Sequence, residues 1–395
     1  MSPFKITVFL ILAVRLFLFG FPSFEVDMGA WKDWAERLVN LDPAYFYSET
    51  FFSDYFPGYL YILWILGEIY NSIFTNLSFN TLLFEVFIKA STTIFDLATA
   101  YFIYKIISKY KQPLANFSVV LYLANPALIF NSSVWGQVDG VLTFFLVTGI
   151  YFLIEKKNLV LSNLSLAFSI LIKPQAIAVL PTLFKEYRKI LFLPLLIIII
   201  SLPFFPGNVL GLYNMALRLA DLYPHTSLYA YNFWSIVGWW EHDSTLFLIL
   251  PYQTWGFILY SLTLFLILIP LLFRKVEGST FYLSSSLSFL AFYLFLTRMH
   301  ERYLFPFFAM LLIAALIKKS KSLLGIYIIT SLIHFVNLWY VYYFYNFVFK
   351  GVGETNVIYN FINNNYKILS ISLILIFVYL LVIYYRSYFQ LLSQK

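Results

Sequence analysis

Two carboxylates near the start of the chain, Glu25 and Asp27, fall where a first apolar run ends and polar sequence begins. A carboxylate at such a helix end can take a proton from a bound hydroxyl as a general base. Asp27 can equally cap a helix starting near Met28, because Asp is a good N-cap residue. A second polar stretch, Asn131-Ser132-Ser133-Val134-Trp135-Gly136-Gln137-Val138-Asp139-Gly140, joins two apolar runs. A tight turn accounts for its Asn, Ser and Gly, but not for Trp135, Gln137 and Asp139 together. Gln137 and Asp139 can hydrogen-bond sugar hydroxyls or orient a basic group.

Lys173, in Lys173-Pro174-Gln175, lies inside an apolar stretch. A lysine there is costly and is either paired or functional, and as a point charge it suits a phosphate. Arg298-Met299-His300-Glu301-Arg302-Tyr303 places two arginines and a histidine within five residues. Charge-assisted hydrogen bonds make that a natural phosphate site, set against an ordinary interfacial charge cluster. No second histidine is spaced to complete a zinc site with His300. Tyr229-Ala230-Tyr231-Asn232-Phe233-Trp234 can stack on sugar rings or anchor an interface. His225, His242, Asp221, Glu241 and Asp243 nearby form no motif. A carboxylate base, several cations and aromatics suit a donor with a phosphate leaving group and an alcohol acceptor.

The elements that must position these groups are membrane helices. The 395 residues are 61% hydrophobic and 22% aromatic, with only 11% charged, which excludes an ordinary soluble domain. The net charge of +7 does not point to nucleic acid, because the basic residues sit in small clusters between apolar runs. Cysteine is absent, so no disulfide framework or thiolate site is available. Residues 4–20 read as a signal anchor, since no small-x-small cleavage site follows them. Asn-x-Ser matches at Asn76, Asn116, Asn131 and Asn163 are expected by chance.

The basic clusters mark the cytoplasmic side: Lys5; Lys105, Lys109 and Lys111; Lys156 and Lys157; Lys185, Arg188 and Lys189; Arg274 and Lys275; Lys318, Lys319 and Lys321; Arg386 and Lys395. Apolar runs threaded between them fall near 4–20, 81–105, 113–131, 138–154, 159–173, 175–184, 190–205, 256–273, 279–297, 303–317, 322–345 and 366–386. That predicts about twelve spans with both termini cytoplasmic. Of the acids, Glu155, Glu186 and Glu277 fall in the cytoplasmic loops, so the outer face is the acidic one. Residues 57–75 would break this parity if they crossed, and Glu68 makes them a poor span, so they read as an interfacial or re-entrant helix. Two outer segments are large, 21–80 and 206–255. In the first, Trp31, Trp34, Ala35, Leu38 and Val39 fall at helical spacing, with Lys32, Asp33, Glu36 and Arg37 around them, which predicts an amphipathic interfacial helix.

With those motifs in order, the chain resembles the GT-C glycosyltransferases that use polyprenyl-phosphate sugars. Asp27, Trp34-Ala35-Glu36-Arg37-Leu38, Phe46-Tyr47 and Asp54-Tyr55-Phe56-Pro57-Gly58-Tyr59-Leu60-Tyr61 look like the first outer loop of prokaryotic mannosyltransferase-like members. Trp135-Gly136-Gln137-Val138-Asp139, Lys173-Pro174-Gln175, Asn232-Phe233-Trp234 and His300-Glu301-Arg302-Tyr303 are similar to further motifs of that group. The resemblance covers roughly residues 1–310 and departs at Phe56, where relatives often carry a second proline. It implies a GT-C fold, an all-α polytopic membrane protein with interfacial helices in the first outer loop. It also implies inverting chemistry by direct displacement, with the loop acid as base, a role that maps onto Asp27 ahead of Glu25. Some branches need a divalent metal held by several acids; no acidic pair beyond Glu25 and Asp27 matches that here, so no cofactor is expected.

The expected organisation is a catalytic membrane module over 1–320 followed by C-terminal helices over 321–395. The expected function is transfer of a hexose, mannose or glucose, from a polyprenyl- or dolichyl-phosphate carrier to an acceptor hydroxyl. The acceptor would be a glycan, a lipid-linked sugar or a protein, met on the extracytoplasmic face of a prokaryotic cell membrane. Asp27 is the expected base, and Lys173, Arg298, His300 and Arg302 the donor-phosphate ligands. Glu25, Trp135, Gln137, Asp139, Gln175, Glu301, Asn232 and Trp234 are the expected substrate contacts, with no metal and no nucleic acid. The rivals are a lipid-linked sugar flippase or transporter, which would carry charges along a path through the midplane and inverted repeats, and a glycan polymerase or ligase. A large outer loop rich in arginine would favour the polymerase, and 206–255 carries only Arg218.

Overall fold

The computed structural model describes residues 2–75, 77–273, 278–353 and 356–392. Arg274, Lys275, Glu277, Lys395 and Asn76 lie outside the described residues. The chain is 77% helical. Among the described residues the strands are two pairs of two residues each: Ser227–Leu228 runs parallel to Met299–His300, and Leu246–Phe247 antiparallel to Leu250–Pro251.

Among the described residues, four stretches are long and apolar enough to cross a membrane: Leu82–Leu123, Tyr252–Leu272, Lys321–Val348 and Val357–Phe389. Pro174–Lys189 with Leu193–Phe204 makes a fifth if that bent pair is one span. This is fewer than the twelve expected, because several apolar helices are short. Leu159–Ile172 and Phe305–Lys318 have 14 residues each, below the ~20 that a straight span requires. The long helices carry apolar faces that water would not tolerate. On Val357–Leu392, the exposed residues Ile368, Ile371, Leu375 and Val378 recur at helical spacing. These features are those of a helical membrane protein.

The chain forms two compact units. The first contains residues 1–102, 128–177 and 186–222; the second contains 103–127, 178–185 and 223–395. In the first unit, α1 (Pro3–Leu18) is followed by α2 (Glu25–Asn40), α3 (Pro57–Ile73) and the start of α4 (Leu82–Lys111). Two ion pairs and one lysine that donates to backbone carbonyls fix this frame. Arg15 of α1 meets Asp96 of α4 at 2.8 Å, both side chains fully buried. Lys89 donates to the carbonyls of Phe19 and Phe21 at 3.1 and 2.6 Å, satisfying acceptors just past the end of α1. Lys32 of α2 meets Glu85 of α4 at 2.6 Å.

The apolar stripe of α2 forms as its spacing predicts: Trp31, Trp34, Ala35 and Leu38 are buried. That stripe is covered by protein, mainly α3, where Gly67 lies against Val39 and the carbonyl of Ala35. Within residues 57–75 the helix runs over Pro57–Ile73, and Pro57 suits its first turn because the N–H it lacks would have no partner there anyway. Gly58 brings the start of α3 against the backbone of Leu171 and Ile172, where a Cβ would lie 2.5 Å from the carbonyl carbon of Leu171. The helix Leu159–Ile172 then stops at Lys173, whose backbone is extended (φ −150°, ψ 131°). Pro174 imposes this, since a residue before proline is driven out of the helical region.

Candidate active site

Asp27 does not cap its helix. The helix starts at Glu25, with Phe24 in the cap position and no side-chain cap, so Asp27 stands in the first turn. There it is half-buried, and its Oδ2 accepts two hydrogen bonds: from Trp135 Nε1 at 2.9 Å and from Gln137 Nε2 at 2.6 Å. Oδ1 takes no hydrogen bond from any described residue. Glu25 is exposed at the first position of the same helix.

Trp135 and Gln137 reach Asp27 because the chain turns tightly between them. Residues Phe130–Trp135 form a π-helical turn that ends on Gly136 in the left-handed region (φ 84°). A side chain at 136 would be strained by that φ, and its Cβ would lie 2.7 Å from Met28 Cε. Trp135 grips the start of α2 in two further ways. Its ring stacks on Phe24 at 4.3 Å, and its carbonyl accepts from the Phe24 amide at 3.4 Å.

Behind Asp27 a polar network runs into the unit. Gln137 Oε1 accepts from Lys173 Nζ at 2.9 Å, from Tyr55 OH at 3.2 Å and from the Val138 amide at 2.9 Å. Lys173 Nζ meets Asp139 Oδ1 at 2.8 Å, and Gln175 Nε2 donates to the same oxygen at 3.1 Å. Asn131 Nδ2 donates to Asp139 Oδ2 at 3.2 Å. Trp135, Gln137 and Asp139 are fully buried, and Lys173 and Gln175 are at most 5% exposed.

Six residues singled out in the sequence, Asp27, Trp135, Gln137, Asp139, Lys173 and Gln175, are thus one connected cluster. Their contacts are mostly with one another. Trp135, Gln137, Asp139 and Gln175 contact Asp27, Lys173 and one another rather than solvent, so they position the site instead of lining it. Lys173 is the paired lysine rather than an open phosphate ligand, its charge met by a buried carboxylate. Tyr59, part of the first-loop motif but given no role there, is a further neighbour of Asp27. It is fully buried, its hydroxyl has no partner among the described residues, and burial together with the Asp27 charge raises its pKa.

The second unit holds the arginine cluster. Arg298 binds Asp243 in a fork, Nε to Oδ2 at 2.7 Å and Nη2 to Oδ1 at 3.2 Å, and Thr297 Oγ1 donates to Asp243 Oδ2 at 3.0 Å. Arg302 Nη1 donates to Glu301 Oε1 at 2.8 Å and lies 3.3 Å from His300 Nδ1. Asp243 and Glu301 are buried, while Arg298, His300 and Arg302 are partly exposed. Each guanidinium is therefore matched by a carboxylate, and Glu301 is a partner of Arg302 rather than a substrate contact. Asp243 was the unread half of this cluster; it stands 55 residues from Arg298, with nothing local to link them. Arg298 itself adopts a left-handed backbone (φ 65°), unusual for a side-chain-bearing residue.

Asn232 and Trp234 are engaged within the fold. Both are fully buried. Asn232 Oδ1 caps the short helix Phe233–Val237 by accepting from the Ser235 amide at 3.0 Å, and Trp234 Nε1 donates to the Phe295 carbonyl at 2.7 Å. Among the described residues, no group of three or more His, Cys, Asp or Glu is placed to hold a metal ion. Compared with models of known protein families and with curated proteins, the chain matches none of them.

Proposed function

We propose that the chain is an inverting glycosyltransferase of the GT-C type that moves a hexose, mannose or glucose, from a polyprenyl- or dolichyl-phosphate carrier to an acceptor hydroxyl. The supporting observation is the carboxylate of Asp27. One oxygen is held by Trp135 and Gln137, and the other is left to accept a proton at a half-open position. A base needs that combination: fixed orientation and one unengaged lone-pair site within reach of a substrate hydroxyl. In this reading the acceptor oxygen attacks the anomeric carbon as Asp27 takes its proton, and the carrier phosphate leaves. His300, Arg298 and Arg302 are the proposed phosphate ligands. Their charges are balanced by Asp243 and Glu301, so they would act through directed hydrogen bonds rather than through net positive charge. The GT-C fold, about twelve spans counting short helices, cytoplasmic termini and an extracytoplasmic site in a prokaryotic cell membrane belong to the same proposal.

A flippase is the second reading, favoured by charges inside apolar helices at Arg15, Lys89 and Asp96. Arg15 and Asp96 are closed on each other with no exposure, which suits a pin between helices better than a transport path. The two readings separate in one assay. Purified protein in nanodiscs is given polyprenyl-phosphate mannose or glucose with a mixture of oligosaccharide acceptors. A transferase forms a new glycosidic bond of inverted configuration; a flippase leaves the donor intact.

A further inference from the structure

We propose that the groove between residues 47–49 and the helix Gly211–Ala220 binds the end of a neutral oligosaccharide, as the acceptor subsite of the transfer proposed above, on which this assignment of role rests. The cavity has a volume of about 360 Å³, room for a short glycan end rather than a polymer. Tyr47 and Phe205 line it, their rings stacked on each other at 5.0 Å and inclined by only 6°. The outer face of such a stack suits the C–H face of a sugar ring. Glu49, Asn208, Asn214 and Arg218 stand around it, all exposed. Carboxylate, carboxamide and guanidinium each present two polar atoms in one plane, the geometry that bridges neighbouring hydroxyls. One acid, one arginine and two carboxamides offer donors and acceptors side by side, a lining that suits neighbouring hydroxyls.

The groove is built on the same support as Asp27. Met215, on its floor, packs with Phe56 and Leu171, two residues before Lys173. Tyr47 OH donates to the Tyr55 carbonyl at 2.8 Å, and Tyr55 OH donates to Gln137, the residue that holds Asp27. Arg218 Nη2 reaches the Ser53 carbonyl at 3.5 Å. A single segment, 47–55, is thus shared by the groove and the base.

The test uses the full chain in nanodiscs and saturation-transfer NMR with mannotriose as the probe, on the wild type, Asn214→Ala, Arg218→Ala and Asp27→Asn. Asn214 makes no side-chain hydrogen bond to any described residue, so its removal leaves the fold intact. Signal transfer to mannotriose in the wild type and in Asp27→Asn, with binding roughly tenfold weaker in Arg218→Ala and reduced in Asn214→Ala, supports the groove. No transfer to mannotriose in the wild type, or transfer in both groove variants equal to that of the wild type, overturns it. Binding needs no turnover: groove-dependent binding without any glycosyl transfer would sink the transferase reading while leaving the groove, and transfer without groove-dependent binding would do the reverse.

Discussion

Gln137 Nε2 lies 2.6 Å from Asp27 Oδ2, and the amide of this one residue ties the half-open carboxylate to a buried ion pair. Its Oε1 faces Lys173 and Tyr55, so only one orientation of the amide satisfies both ends. Gln137 is the hinge between the group proposed to do chemistry and the charges that support it.

Replacing Gln137 by Leu removes a hydrogen bond to a charged group, worth ~1.5–3 kcal/mol. The transfer rate constant is expected to fall by roughly ten- to a hundredfold, with KM changing less, because the lost contact orients the base rather than binding substrate. Steady-state kinetics on the purified variant check this. An unchanged rate constant would remove Gln137 from the positioning role.

Lys173→Met leaves Asp139 buried without its counter-charge, a change that costs ~3–5 kcal/mol. The variant is expected to lose most of its thermal stability in detergent, measured by size-exclusion chromatography after heating. Lys173→Met combined with Asp139→Asn is expected to recover a substantial part of that loss, because the charge is removed together with its partner. Equal losses in the single and double variants would mean that the pair is not coupled as its 2.8 Å separation requires.

Gly136→Ala is expected to destabilise by ~1–3 kcal/mol through its left-handed φ, and to shift Met28 out of the way of the new Cβ. Since Met28 is next to Asp27, transfer should fall further than folding does. Combining it with Met28→Ala restores space but not φ, so only part of the stability returns. Full recovery would show that the backbone conformation carries no cost.

Arg298→Ala and Asp243→Asn are expected to have matching effects, both loosening the loop around Asp243, seen as faster limited proteolysis near residues 243–250. A phosphate contact at Arg298 adds an effect that Asp243→Asn lacks: a raised KM for the lipid donor. Identical KM values in the two variants would leave Arg298 a loop clamp alone.

Much of this arrangement was legible in the sequence. Apolar runs located most of the helices to within a few residues, the break between the runs 159–173 and 175–184 fell at Pro174, and the spacing of Trp31, Trp34, Ala35 and Leu38 gave the buried face of α2. What escaped depends on long-range pairing. Arg15 and Asp96 are 81 residues apart, and each alone looks like an isolated charge in an apolar run. Whether Asp27 caps or projects was equally hidden, because it depends on where the helix starts, and stacking of Phe24 on Trp135 from a distant turn accompanies the start at Glu25. Fewer helices are long enough to span than there are apolar runs, because runs such as 159–173 and 303–317 fold into helices of only 14 residues.

The central claim is that Asp27 is the base, and the most direct measurement is the single-turnover rate of Asp27→Asn with polyprenyl-phosphate mannose and polyprenyl-phosphate glucose. Asn fills the same space and can still hydrogen-bond through its carbonyl oxygen, so folding and donor binding should persist while proton acceptance is lost. The expected result is a fall of ~10²–10⁴-fold in the rate of glycosidic bond formation, the usual contribution of a positioned general base, with donor affinity kept. Transfer at near the wild-type rate by Asp27→Asn would contradict the account.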